Sequence, residues 1–258
     1  VLKTLKNNKN RWAGRNQQKD DLRMKIWKIL ESSGQAIGDP WSSIPDFIGS
    51  KEAAERLATT AFWKEAKVVK SNPDRAQAWV RLFALQERKR VYTPIPELTE
   101  AFPFLLLDPD QLEKKGVDFK KVMFSEGALI YGQRLDFKDM EALDICVVGS
   151  VATSLNGGRI GKGGGFADLE MGIFRDMGIL TDSCPIVTTV SDKQVVPSEE
   201  IFMESHDTPL DWIVTPTEVI ATQNIISRPG ALDWSMIQDD QFRNIPFLRK
   251  LRKQLVRG

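Results

Sequence analysis

Histidine is almost missing from this chain: His206 is the single one among 258 residues. That scarcity removes whole classes of mechanism. A His-rich zinc site is excluded, and two distant cysteines, Cys146 and Cys184, do not supply a mixed one. A Ser-His-Asp triad would have to run through His206, and no Gly-x-Ser-x-Gly elbow accompanies it. Two cysteines make no disulfide framework, and Cys146 sits inside an apolar run, where it reads as a packed thiol. No stretch approaches the ~20 apolar residues of a membrane-spanning helix, and no secretory signal is visible. The expectation is a cytoplasmic protein with no membrane partner. Neither sign of charge is in excess: 36 Lys and Arg against 35 Asp and Glu leave +1, so steering toward nucleic acid is not implied. The first residues are basic (Lys3, Lys6, Lys9, Arg11, Arg15) but interleave one aromatic, Trp12, too few for a base-stacking surface. Acid–base work falls to carboxylates, lysine or tyrosine.

What is present is ordinary globular material, 41% hydrophobic and 28% charged, enough for one substantial α/β core. Residues 1–18 are polar, basic and without periodicity, and read as a mobile arm ahead of a single domain over 19–258. Leu22, Ile26, Ile29 and Leu30 line one face of a helix over 19–33 that Gly34 stops. Residues 41–49 read as a Pro-containing turn. Ser50 looks like the N-cap of a helix over 52–62. A short strand over 66–69 is broken by Asn72-Pro73-Asp74, with Asp74 capping a helix that runs to about residue 88. Further strands are expected over 91–93, 104–107, 143–148, 185–190 and 211–215. Residues 117–132 are ambiguous, and Ile245-Pro246 opens a last basic helix. Alternating strands and helices predict a three-layer α/β/α fold, with a mostly parallel, Rossmann-like sheet covered on both faces. Binding should then occur outside the carboxyl ends of the strands, from loops far apart in the chain.

One such loop carries the chemistry. Arg159-Ile160-Gly161-Lys162-Gly163-Gly164-Gly165-Phe166-Ala167-Asp168 follows the apolar run 143–148 and precedes Leu169, Ile173 and Met177 at helical spacing. Glycine lets the backbone curl until successive N–H groups converge. The helix start adds orphan donors and partial positive charge, and Arg159 and Lys162 add full charges. This is chemistry for holding phosphate. It is not a P-loop, because no Gly-Lys-Ser or Gly-Lys-Thr closes it, and Phe166 stands where a dinucleotide fold wants its third glycine.

The loop resembles the Arg-Leu-Gly-Arg-Gly-x-Gly-Tyr-Tyr-Asp signature of the 5-formyltetrahydrofolate cyclo-ligase family, also called methenyltetrahydrofolate synthetases. The matched positions are Arg159, Gly161, Lys162 for arginine, Gly163, Gly165, Phe166 for the first tyrosine, and Asp168. Ala167 replaces the second tyrosine. Lys19-Asp20-Asp21-Leu22-Arg23 is similar to the Lys-x-x-Leu-Arg that opens the family's first helix. His206-Asp207-Thr208-Pro209-Leu210-Asp211-Trp212-Ile213-Val214-Thr215 is similar to its His-Asp-x-x-x-Asp-x-Val-Val-Thr segment. The resemblance implies ATP on Lys19, Arg23 and the loop from Arg159 through Phe166. It implies Lys162 and Arg159 as catalytic charges, and Mg²⁺ on Asp168 and Asp207. Asp211 reads as structural and His206 as a neighbour within the turn.

Between Pro45 and Pro96 the chain departs from that pattern. The family's acidic folate contact after the first strand is replaced by Ser71-Asn72-Pro73-Asp74-Arg75, with Val80-Arg81 downstream. This phrase, with Ile44-Pro45-Asp46-Phe47 and Tyr92-Thr93-Pro94-Ile95-Pro96, resembles the longer branch called methenyltetrahydrofolate-synthetase-domain proteins. What the resemblance implies is ATP-dependent cyclisation of 5-formyltetrahydrofolate to 5,10-methenyltetrahydrofolate, releasing ADP and phosphate. The partner is then a reduced folate, with Phe166 or Trp79 as an apolar wall for its pterin. Oligomeric state stays open between monomer and weak dimer. The altered 71–81 segment keeps a second reading open, a non-catalytic nucleotide- or folate-binding protein. A third is another phosphate-handling enzyme, such as a sugar-phosphate isomerase or CoA transferase, although no dedicated catalytic carboxylate or histidine stands out.

Overall fold

A computed structural model describes residues 10–98, 103–223 and 225–255. In chain order the helices are α1 (Gln17–Ser32), α2 (Ser50–Ala58), α3 (Ala61–Glu65), α4 (Ala78–Gln86), α5 (Pro109–Lys114), α6 (Phe119–Val122), α7 (Ser125–Tyr131), α8 (Phe166–Asp176), α9 (Asp239–Asn244) and α10 (Pro246–Leu255). The strands are β1 (Ala36–Ile37), β2 (Asp46–Phe47), β3 (Val68–Ser71), β4 (Arg90–Pro94), β5 (Phe104–Leu107), β6 (Gln133–Leu135), β7 (Ile145–Val147), β8 (Ala152–Thr153), β9 (Arg159–Ile160), β10 (Ile186–Thr189), β11 (Trp212–Val214) and β12 (Val219–Ala221).

Eight of these strands form one sheet in the order β12-β11-β10-β7-β3-β4-β5-β6. The five from β11 to β4 pair in parallel, and the outer strands β12, β5 and β6 pair antiparallel. The fold is the expected three-layer α/β/α arrangement. The central strands are buried on both faces, so their side chains alternate between two apolar layers. Val69, Ile145, Val147 and Val187 face α2, α3 and α4, whereas Val68, Cys146, Val148 and Ile186 face α8 and α10. A third cluster, from α1, the β1–β2 hairpin and β8–β9, caps the carboxyl end of the sheet.

The chain goes from β3 outward to β4 on one side and returns to β7 on the other. The crevice between the loops after β3 and β7 is therefore the switch point where such sheets bind ligands. A buried ion pair pins the helix that follows the glycine loop onto this point. Lys70 of β3 and Glu170 of α8 are both almost fully enclosed, with Nζ 2.6 Å from Oε2, and Lys70 also donates to Asn72 Oδ1 at 2.5 Å. Burial pushes the Glu170 carboxyl above its ordinary range, against the pull of Lys70.

Several expected boundaries move. The first sheet strand runs 68–71 rather than 66–69, and takes in Lys70, whose buried charge is neutralised by Glu170. The single helix expected over 52–62 is two, since Thr60 caps a new start at Ala61. Gly49, at φ 96°, is the N-cap, and Ser50 is already helical. Asp74 stands at the N-cap position without capping: its side chain accepts no bond from the turn that follows. The ambiguous 117–132 stretch holds α6 and α7, two short helices in tandem. The turn expected over 41–49 contains β2. α8 begins at Phe166, three residues earlier than its apolar spacing shows, and α9 precedes the basic helix. Residues 10–18, read as arm, hold a turn packed on the domain and the first residues of α1. Residues 1–9 of that arm lie outside the described residues.

Removing one member of a buried ion pair leaves the other uncompensated, at a cost of about 3–5 kcal/mol, whereas replacing both by apolar groups is often near neutral. Lys70→Met alone should lower unfolding stability by about that amount. Lys70→Met with Glu170→Leu should recover most of it. Urea unfolding of the three proteins, followed by circular dichroism, measures this.

Candidate functional site

The glycine loop runs from β9 into α8. Its backbone is held in a particular way. The Gly161 carbonyl accepts from Arg23 Nε at 2.7 Å, Gly163 from Arg15 Nη1 at 3.0 Å, and Gly164 from Gln241 Nε2 at 2.8 Å. Three side chains from α1, the segment before it and α9 thus draw the carbonyls outward. The N–H groups of residues 161–165 donate to no protein acceptor among the described residues. Free N–H groups at the start of an eleven-residue helix make an anion cradle. Gly163 is required here twice over: φ is +109°, and an added Cβ would lie 2.7 Å from Trp12 Cβ.

A cavity of ≈ 370 Å³ opens on one side of the loop. Lys19, Arg23, Arg159, Asp168 and Asp207 line it, although they are spread over nearly 190 positions of sequence. Leu169, Leu232, Met236 and Ile237 add apolar lining. The charged groups form an ordered lattice. Arg159, 4% exposed, donates Nη1 to the Gly149 carbonyl at 3.1 Å and Nη2 to Asp168 Oδ1 at 2.6 Å. Thr208 N–H donates to the same Asp168 oxygen at 3.0 Å. Burial opposes ionisation of Asp168, but Arg159, the Thr208 N–H and Lys19 outweigh it and hold its carboxyl below the ordinary carboxylate range. Lys19 Nζ donates to Glu204 Oε2 at 2.6 Å and to Asp207 Oδ2, which also accepts the Glu204 N–H at 2.7 Å. Arg23 donates to Asp20 at 2.7 Å, and burial pulls its pKa below the usual guanidinium value despite that carboxylate.

The two proposed metal ligands therefore line one cavity, each with a cation already on one oxygen. That leaves Oδ2 of Asp168 and Oδ1 of Asp207 as hard-oxygen donors. His206 Nε2 stands 3.7 Å from Asp207 Oδ1, its Nδ1 is buried without a partner among the described residues, and ligand atoms of Glu204, His206 and Asp207 lie within 4.8 Å of one another. A donor set of this kind suits Mg²⁺ when a polyphosphate supplies the remaining oxygens.

Lys162 lies elsewhere. It lines a second, smaller pocket of ≈ 50 Å³, which shares Arg159, Gly161, Gly165 and Asp168 with the first, and its Nζ is 3.9 Å from Asp74 Oδ1. Asp74, Gly149, Phe166 and Glu170 line the same pocket. Sequence reasoning treated the 71–81 segment as having lost its acid. The structure places the Asp74 carboxylate at the carboxyl end of β3, 14% exposed and turned toward Lys162. A Cβ on Gly149 would stand 3.0 Å from Asp74 Oδ2 and 2.9 Å from the Ile44 side chain. Ile160 is 2% exposed and packs with α1, so its backbone borders the cavity while its side chain serves the core. Phe166 meets Trp12 edge-on at 5.4 Å beside the loop. Trp79 packs against Phe83 at 6.0 Å in the helical layer and lines neither pocket. Asp211 accepts Ile186 N–H at 2.6 Å and pairs with Arg228, which ties β11 to β10.

Sequence reasoning missed Arg15, Gln241, Glu204 and the Lys70–Glu170 pair. Glu204-x-His206-Asp207 carries a readable spacing of acidic and imidazole groups. Gln241 carries no local signal, since it meets the loop across 77 positions.

The model of the 5-formyltetrahydrofolate cyclo-ligase family matches residues 15–216. Two curated relatives are methenyltetrahydrofolate synthase domain-containing proteins. The Bos taurus protein is 37% identical over 238 residues, 92% of this chain and 62% of the relative. The Homo sapiens protein is 36% identical over 236 residues, 91% of this chain and 61% of the relative. The chain thus spans about three fifths of the length of these relatives. The solution structure of Aquifex aeolicus 5,10-methenyltetrahydrofolate synthetase superposes with a TM-score of 0.51 at 21% identity, covering 81% of this chain and 95% of that one. At that identity the likeness bears on the fold.

Gly163→Val adds a β-branched side chain at a positive φ and against Trp12. We expect about 1–3 kcal/mol of backbone strain and loss of measurable nucleotide binding in calorimetry. Retained affinity would show that the loop does not hold the nucleotide.

Proposed function

The chain belongs to the 5-formyltetrahydrofolate cyclo-ligase family, and we propose that it closes 5-formyltetrahydrofolate to 5,10-methenyltetrahydrofolate at the expense of ATP. The observation that carries this reading is the glycine loop, with its carbonyls tied back and its N–H groups free between two unequal pockets. The larger pocket suits ATP: its lining offers cations for the phosphates and aliphatic side chains for the base. The smaller pocket, across Lys162, is where the formyl group would meet the terminal phosphoryl group.

The reaction asks for positioning and charge neutralisation rather than a protein nucleophile, which suits a chain with one histidine. The formyl oxygen attacks the γ-phosphorus and ADP leaves. N10 then attacks the activated carbon, loses its proton, and phosphate departs as the ring closes. Lys162 and Arg159 flank the loop on which charge moves from one phosphate oxygen to another, and the loop N–H groups stabilise it there. Lys19 and Arg23 hold the remaining phosphates from α1. Asp168 and Asp207 would hold Mg²⁺, which neutralises phosphate charge when bound. We place the protein in the cytoplasm, with residues 19–258 as one catalytic domain; among the described residues no helix is long and apolar enough to cross a membrane.

The ≈ 50 Å³ of the second pocket favours one competing reading, a nucleotide-binding protein that does not turn over a folate. One titration separates them. Methenyltetrahydrofolate absorbs in the near ultraviolet where 5-formyltetrahydrofolate does not. We expect slow appearance of that band, dependent on both ATP and Mg²⁺. Asp168→Asn and Asp207→Asn should each reduce the Mg²⁺-dependent rate with the fold intact. Lys162→Ala should weaken the complex with ATP by about 1–3 kcal/mol, the scale of a charge-assisted contact. No band at saturating folate, with ATP binding confirmed by calorimetry, would establish the binding-protein reading instead.

A further inference from the structure

The most heavily coordinated cation among the described residues contacts no carboxylate. Arg81 of α4 is 1% exposed. Its Nε donates to the Met123 carbonyl at 2.9 Å, and its Nη2 to the carbonyls of Met123 at 2.6 Å, Pro73 at 3.2 Å and Asp74 at 3.2 Å. Its Nη1 donates to the Asn72 carbonyl. Burial lowers its pKa to about 10, with the charges of Asp74 and Glu126 acting against the fall, so it stays a cation at neutral pH. Ser125 Oγ adds a bond to the Pro73 carbonyl at 2.9 Å.

The carbonyls gathered here are consecutive, those of residues 72, 73 and 74. They leave the end of β3 at the switch point of the sheet, where Pro73 has no N–H to offer and an extended ladder has stopped. Buried carbonyls need donors, and a guanidinium is the one side chain with five donors in a fixed fork. The consequence lies on the opposite side of the loop. With its backbone pulled toward Arg81, Asp74 does not cap the turn that follows. Its carboxylate projects into the second pocket, against Gly149 and 3.9 Å from Lys162.

We propose that Arg81 is a positioning residue of the second pocket: by gathering the carbonyls of Asn72, Pro73 and Asp74 it sets the Asp74 carboxylate opposite Lys162, where Asp74 accepts hydrogen bonds from the N–H groups of the second substrate. The proposal rests on the reading that this pocket receives the folate. A lysine at 81 keeps the charge but has three donors on a single nitrogen in place of the five-donor fork, so it cannot reach all four of these carbonyls at once.

The test compares Arg81→Lys, Asp74→Asn and the double variant in the full chain. ATP affinity is measured by calorimetry, and KM and kcat for 5-formyltetrahydrofolate by the near-ultraviolet band. We expect each single variant to raise the folate KM at least tenfold and to leave ATP affinity within about twofold, since neither side chain lines the larger cavity or belongs to the glycine loop. The double variant should be no worse than the worse single one, because Arg81 acts through Asp74. An unchanged folate KM in a folded Arg81→Lys, or effects that multiply in the double variant, would overturn the proposal. If Arg81→Lys does not fold, Ser125→Ala loosens the same loop without touching the buried charge. A two- to threefold rise in folate KM, absent in the Asp74→Asn background, then supports the proposal, and no rise overturns it. If the unmodified protein produces no band although it binds ATP, the folate reading fails by itself. A crystal structure of Arg81→Lys, or of Ser125→Ala, then decides: Asp74 still within 4 Å of Lys162 overturns positioning, and Asp74 withdrawn from it supports positioning.

Discussion

The site depends on a demand that a phosphate-holding backbone makes on everything around it. A loop can present its N–H groups to an anion only if its carbonyls are satisfied elsewhere, because a buried orphan carbonyl costs as much as a lost hydrogen bond. Here the donors come from three directions: Arg15 ahead of α1, Arg23 within it, and Gln241 of α9. Each arrives from a part of the chain far from the loop. This accounts for the packing of the segment before α1 across Gly163 and for the return of residues 229–241 to wall the large cavity. Both ends of the described chain are drawn to one loop because its carbonyls require it.

The same loop acts as a partition. On its larger side, cations are held in place by carboxylates. Arg159 sits with Asp168, Lys19 with Asp207 and Glu204, and Arg23 with Asp20. Such a lattice is oriented before any ligand arrives, so little reorganisation is needed when phosphate charge enters it. On the smaller side, Lys162 faces Asp74 at 3.9 Å, too far for a direct hydrogen bond and near enough to be set by it. Beneath both sides, the Lys70–Glu170 pair joins β3 to α8. The strand whose end forms the smaller pocket and the helix whose start forms the cradle are therefore tied directly to each other.

Much of this was legible in the residues. Apolar runs in the central strands and 3.6-residue spacing in α1 and α8 announced the three-layer fold, because burying one stripe of a helix and both faces of a parallel strand leaves local marks in sequence. The glycine loop was legible for the same reason: four glycines beside two cations are a local statement about backbone freedom and charge. Lys19, Arg23, Asp168 and Asp207 were named from short motifs, and the structure lines one cavity with all four. Motifs carry residue type and spacing, and both are local.

What the motifs could not carry is partnership. Nothing near Lys70 shows that Glu170, a hundred positions on, will neutralise it and let a strand run through it. Asp74 looks like a helix cap because aspartate before a helix usually is one. Only the pull of Arg81 on the carbonyls behind it turns the carboxylate away from the turn and toward Lys162. Lys162 reads as one of a row of loop cations, yet it lines the smaller pocket alone, whereas Arg159 borders both. The sequence by itself determined the elements, the loop and the kinds of charge available, since these follow from propensity, periodicity and composition. Tertiary structure decided which charge meets which and which side of the loop each serves. Those outcomes depend on distances between residues that only the folded sheet brings together.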